Sequence, residues 1–108
     1  MSDAKRHHEV VSASDTLLIR RQTLLPGEAT HWHRDVCRRF SVVVRGDRLK
    51  LEFRDGSAPI EIRTYPGEAG WDDPEPRLHR AVNVGATVLE EVVAFHLDRP
   101  GIDPQPGE

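Results

Sequence analysis

Apolar and polar positions alternate along most of this chain in short runs that end at turn residues. The run at 48–53, RLKLEF, is the clearest, because Leu49, Leu51 and Phe53 share one face. Strand-forming residues dominate the other runs, at 16–25, 39–45, 59–63, 78–84 and 86–97. A helix competes only at 86–97, where the valines and the turn before them favour a strand.

Turn residues separate these runs at regular spacing. They are Pro26-Gly27, Gly46-Asp47, Asp55-Gly56, Pro66-Gly67 and Gly85. About seven or eight short strands, with a turn about every eight to twelve positions, predict an all-β sandwich or barrel. The 108 residues suit one domain. We predict an N-terminal arm at 1–12, the β-domain at 13–97 and a tail at 98–108, which holds three of the eight prolines.

Composition narrows the classes of protein that fit. With 15 basic and 18 acidic residues, the net charge is −3 and there is no basic stripe, so we expect no nucleic-acid partner. No apolar run approaches the roughly 20 residues that span a bilayer, so we expect no membrane partner. The polar N-terminus lacks a signal-peptide core. Since Cys37 is the single cysteine, no internal disulfide can form, and a cytoplasmic location is expected.

Candidate chemistry begins at residues 31–37, HWHRDVC. If His31 and His33 lie on a strand, alternation sends both imidazoles to the same face. Two neutral imidazoles side by side form half of a metal site. A third histidine, His79, lies in the predicted strand at 78–84.

Two motifs carrying these histidines resemble those of the cupin superfamily. The first, PGEATHWHRDVCRRFSVVVRG, places Gly27, His31, His33 and Gly46 in the family's roles. The second, PGEAGWDDPEPRLHRAVN, places Gly67, Pro74, His79 and Asn83. The resemblance covers about residues 26–85. It implies a single-domain cupin β-barrel, the double-stranded β-helix or jelly-roll, with a mononuclear metal site formed by His31, His33 and His79.

The family's usual glutamate ligand is missing from the first motif. Counting back from Gly46 puts Arg39 in its position, and counting forward from His33 puts Cys37 or Arg38 there. The chain therefore resembles the three-histidine branch, which includes thiol dioxygenases and diketone-cleaving oxygenases. Arg39 and Cys37 are candidate catalytic residues. Arg39 either enters the cavity, where it would grip a carboxylate, or pairs with an acid outside. Cys37 is either a reactive thiol or a small buried apolar residue.

Three imidazoles would bind one divalent transition metal. Fe²⁺ is the favoured ion, and Zn²⁺, Ni²⁺, Mn²⁺ or Cu²⁺ are the alternatives. Three protein ligands leave coordination positions open for a small-molecule substrate or O₂. We predict action on a small anionic or enolisable molecule, with an O₂-dependent dioxygenase as the first hypothesis. A ligand- or metal-sensing cupin without turnover and an isomerase or lyase are the alternatives. Since strand edges need cover, we also expect a homodimer.

Overall fold

The computed structural model describes the backbone of residues 8–100 and the side chains of residues 8–97. All of the regular structure in this part of the chain is β-strand. The nine strands are β1 His8–Ala13, β2 Leu17–Leu24, β3 His33–Asp35, β4 Cys37–Arg45, β5 Arg48–Phe53, β6 Ile60–Arg63, β7 Ala69–Asp72, β8 Glu75–Asn83 and β9 Leu89–Pro100. The predicted all-β class is therefore confirmed, including a strand at 86–97. No helix within the described residues is long and apolar enough to cross a lipid bilayer.

The strands form two antiparallel sheets rather than one closed barrel. A five-stranded sheet, called sheet A, has the order β1-β2-β9-β4-β7, and a four-stranded sheet, called sheet B, has the order β3-β8-β5-β6. Side chains from both sheets line a cavity of about 760 Å³ between them. Part of the predicted N-terminal arm belongs to this architecture, because residues 8–12 lie in β1 and pair with β2. Residues 101–108 of the predicted tail lie outside the described residues.

A small apolar core closes one end of the space between the sheets. It consists of Leu24, Leu49 and Leu89, with Leu51 packed against it. Asn83 lies beside this core and is 1 % exposed. Its amide nitrogen donates to the carbonyl oxygens of Leu24 and Thr87. Strand β8 runs away from this end, so the inward positions two and four residues before Asn83 face the middle of the cavity.

The turn at Gly46 shows why a glycine is needed where β4 passes to β5. Its φ angle is +128°, a conformation that L-residues with a Cβ rarely adopt. A Cβ built there would lie 2.6 Å from Leu89 Cδ1. The glycine thus lets the turn approach the apolar core closely. Gly27, Gly56 and Gly67 also have positive φ angles, as expected at the turns predicted from the sequence.

Candidate metal centre

Neighbouring strands β3 and β8 bring two histidines and one aspartate together on the cavity side of sheet B. His33 and His79 are paired directly across the ladder, and the register shifts between His33 and Asp35. Alternation in β3 sends Arg34 to solvent and places Asp35 inside, where it is buried. His79 is buried as well. Ligand atoms from His33, Asp35 and His79 all lie within 4.8 Å of one another.

Backbone contacts fix both imidazole rings in the same way. His33 Nδ1 lies 2.8 Å from the carbonyl oxygen of His31, and His79 Nδ1 lies 2.8 Å from that of Arg77. A carbonyl oxygen can only accept, so each Nδ1 donates its proton. In a neutral ring this leaves the lone pair on Nε2. Each anchor is two residues upstream on the same strand or its approach, so strand geometry itself orients the rings.

Asp35 is the point on which these side chains converge. Its Oδ2 atom lies 2.8 Å from His79 Nε2 and 3.5 Å from His33 Nε2. The same oxygen lies 2.8 Å from Arg39 Nη1, which reaches across from β4 in sheet A. One carboxylate oxygen therefore receives contacts from both imidazoles and from one guanidinium.

These contacts shift the acid–base properties of the cluster. Burial by itself would raise the pKa of Asp35, but the interactions with His33, Arg39 and His79 outweigh it and hold that pKa below its ordinary value. The contact with Asp35 raises the pKa of His33 above its ordinary value, against the opposing effect of burial. Asp35 therefore stays ionised over the pH range in which His33 loses its proton.

The donor set fits a divalent transition metal. Two imidazole nitrogens and one carboxylate, all directed at a common point, form the combination that binds Fe(II), Mn(II) or Zn(II) and leaves coordination positions open. The backbone anchors on both Nδ1 atoms are the outer contacts that metal-binding histidines usually have. His33, Asp35 and His79 would hold the ion.

His31 and Asp35 differ from the sequence-based expectation. The predicted trio was His31, His33 and His79, and the structure brings the last two together. His31 is exposed, its ring centroid lies 5.8 Å from that of His33, and it is absent from the compact ligand group. Asp35 was not among the residues predicted from the sequence, and it is a candidate ligand in the structure. The signal was available, because the alternation that links positions 31 and 33 continues to position 35.

Arg39 and Cys37 both line the cavity. The Arg39 side chain is 16 % exposed, and its Nη2 donates to the carbonyl oxygen of Asp73 at 2.8 Å. The placement of Arg39 in the cavity matches the first of the two alternatives considered for it. Cys37 is half-buried, with its thiol free of disulfide bonding, and it starts β4 next to a register shift. Its predicted catalytic role stays a prediction.

Solved structures share this architecture. A cupin domain from Bordetella pertussis Tohama I is 21 % identical with a TM-score of 0.72, over 82 % of this chain and 90 % of that one. The chain has the cupin fold. A cupin family protein with a double-stranded β-helix fold from Methanocaldococcus jannaschii is 18 % identical, with a TM-score of 0.66, over 83 % of this chain and 78 % of that one.

An enzyme structure is also similar to part of this chain. Oxalate oxidase in complex with the substrate analogue glycolate is 23 % identical with a TM-score of 0.58. The match covers 80 % of this chain but 44 % of that one, so it extends over less than half of the larger protein. No protein-family model matches the sequence, and no curated protein matches it either.

Proposed function

We propose that this cupin binds one divalent transition metal ion through His33, Asp35 and His79 and acts on a small anionic molecule in the cavity. The observation that carries the proposal is the shared anchoring of the two imidazoles. Both donate from Nδ1 to a backbone carbonyl, and both direct Nε2 at Asp35 Oδ2. Two histidines that only fill space would not need matched tautomers converging on one carboxylate.

The proposed reaction is an O₂-dependent oxidation, with Fe²⁺ as the first metal to test. Two histidines and one carboxylate are the ligands of many mononuclear non-haem iron oxygenases. The bound ion would supply a redox-active Lewis acid with open coordination positions. The similarity to oxalate oxidase with bound glycolate suggests short carboxylates as the first ligands to try.

The cavity residues would bind and orient such an anion. Arg39 Nε is a buried donor without an acceptor among the described residues, although the two terminal nitrogens of this guanidinium are engaged by Asp35 and Asp73. Arg20 also lines the cavity, and its guanidinium lies 5.4 Å from the centroid of the Phe95 ring. Two fixed guanidinium groups favour a carboxylate over a neutral ligand.

Metal analysis of anaerobically purified protein tests the metal-binding proposal. We expect about one ion per chain, lost in His33→Ala and His79→Ala and weakened in Asp35→Asn. His96→Ala is the matched control, since the His96 ring packs on Trp71 and does not line the cavity. Equal metal content in all four variants would contradict the proposal.

Oxygen uptake by the iron-loaded protein tests the reaction. The panel contains short carboxylates such as glycolate and oxalate, together with thiols and diketones. We expect uptake with at least one short carboxylate and none after chelation. Stoichiometric metal without any uptake would favour the sensing or non-redox alternatives over an oxidase.

A further inference from the structure

Two adjacent glutamates on β9 have opposite surroundings. Glu90 faces outward, where its carboxylate oxygens lie 2.9 Å from Arg45 Nε and 3.3 Å from Arg21 Nε. Glu91 faces inward and lines the cavity, as do Val93 and Phe95, the next inward positions of the strand. Glu91 is thus a carboxyl group in an otherwise apolar inward row. A half-buried acid of this kind is costly to keep charged.

Among the described residues, no group forms an ion pair with Glu91. On β2 its partner in the ladder is Gln22, which is uncharged, and on β4 it is Val43. The charged groups that act on it are Asp72 of β7 and Glu68, which are both acidic, and Arg39 of β4. Arg20 of β2 lines the same cavity wall, and the cluster containing Asp35 lies on the opposite wall, in sheet B.

We propose that Glu91 contacts the ligand of this cavity and that its carboxyl group, in the protonated form, donates a hydrogen bond to an anionic group of that ligand. The proposal rests on the proposed function, because it assigns the ligand-recognition group of the same cavity. An inward carboxyl facing open space, with cationic side chains on the same wall, can complete a site that takes a carboxylate. In the ionised form Glu91 would instead repel it.

Protonation near neutral pH is consistent with these surroundings. Burial, together with the carboxylates of Asp72 and Glu68, raises the pKa of Glu91 to about 7, although the charge of Arg39 opposes the shift. The protonated form of Glu91 is therefore accessible near neutral pH. A cavity acid with such a pKa is typical of functional sites.

The test is binding of acetate, glycolate and oxalate to the full chain in EDTA, followed by NMR between about pH 6 and pH 8. If the protonated form of Glu91 alone binds the anion, affinity in the wild type falls about tenfold over this range. Glu91→Gln keeps a donor but cannot ionise, so we expect it to lose that part of the pH dependence and to bind well at the higher pH. The contribution of His33, which titrates nearby, is common to both proteins and cancels in the comparison.

Glu90→Gln is the matched control and should retain the pH dependence of the wild type. Wild type and Glu91→Gln with the same pH profile would overturn the proposal, and so would the absence of binding by all three anions to the wild type at about pH 6. A carboxyl ¹³C titration assigned to Glu91 near its ordinary value would overturn it too. Binding of Co²⁺ to the same proteins, followed by absorption, tests the metal site separately. Failure there would leave the Glu91 result standing.

Discussion

Replacing Asp35 tests whether the cluster is organised around one carboxylate. The free energy of unfolding of the metal-free protein is the quantity to measure. In the absence of an ion, this carboxylate accepts from the Arg39 guanidinium of sheet A, and both imidazole Nε2 atoms pack against the same oxygen. Asp35 is 7 % exposed and the Arg39 side chain 16 %. The contacts are therefore only weakly screened by solvent, unlike those of a surface ion pair.

The expected loss of stability follows from these contacts. A hydrogen bond to a charged group contributes about 1.5–3 kcal/mol, and Arg39 Nη1 donates one to Asp35 Oδ2 at 2.8 Å. Removing one partner of a buried pair costs about 3–5 kcal/mol, because the other charge is left without compensation. We expect Asp35→Ala to lower the free energy of unfolding by about 3–5 kcal/mol. Asp35→Asn, which keeps an acceptor oxygen, should cost about 2 kcal/mol.

Urea unfolding in EDTA, followed by tryptophan fluorescence, measures both variants. Glu61→Gln provides the control, because Glu61 and Arg48 form an exposed pair at 3.7 Å that should contribute less than about 1 kcal/mol. The Asp35 effect should persist near neutral pH and fade in acid. The pKa of this carboxyl is lowered on folding, so its stabilisation is lost as the pH falls from the ordinary value near 3.8 through the lowered one. Asp35→Asn and Asp35→Ala both as stable as Glu61→Gln would refute the reasoning.

Four further predictions concern the cavity and the sheet edges. In EDTA, Glu91→Gln should stabilise the protein at about pH 8 by about 3 kcal/mol, with no gain below about pH 4.5. The reason is that folding raises the pKa of Glu91 from 4.5 to about 7, so the ionised carboxylate destabilises the folded state at the higher pH. Thermal unfolding measured as a function of pH checks this prediction. His31→Ala should retain metal within about tenfold of wild-type affinity, and a loss as large as that of His79→Ala would restore the three-histidine prediction. Arg39→Met should weaken glycolate binding to the metal-loaded protein at least about tenfold, as measured by calorimetry. Light scattering should return a dimer, since β1 and β6 are edge strands, and a monomer would remove this expectation.

Much of the fold was predictable because each signal was local. The alternation of Leu49, Leu51 and Phe53 needs no partner to be recognised, and Gly46 and Gly67 mark turns through their backbone freedom. The division of the strands between two sheets was not predictable in this way. It depends on pairings such as that of β2 with β9, which join residues far apart in sequence.

In the candidate site, too, some residues were predictable from local signals and others were not. His33 and His79 were found from spacing and from the resemblance, since both lie at fixed positions within motifs. Asp35 was overlooked because the search for a carboxylate followed the family's spacing rather than the alternation of this chain. Glu91 could not be recognised beforehand, because Glu90 beside it has the same chemistry, and the parity of the strand alone decides which of the two faces the cavity.

The proposed preference for an anionic ligand depends on a charge pattern different from that of a three-histidine site. A site of three neutral imidazoles would leave a dipositive ion with its full charge, which by itself attracts an anion. Asp35 cancels one unit of that charge, so the ion alone is a weaker argument. Arg39, however, is paired with this same carboxylate and adds one unit back from the opposite sheet. An ion, Asp35 and Arg39 together would still carry a net charge of two positive units, spread along the cavity. A carboxylate that spans from the ion to the guanidinium would match this charge distribution better than a compact anion bound at the ion alone.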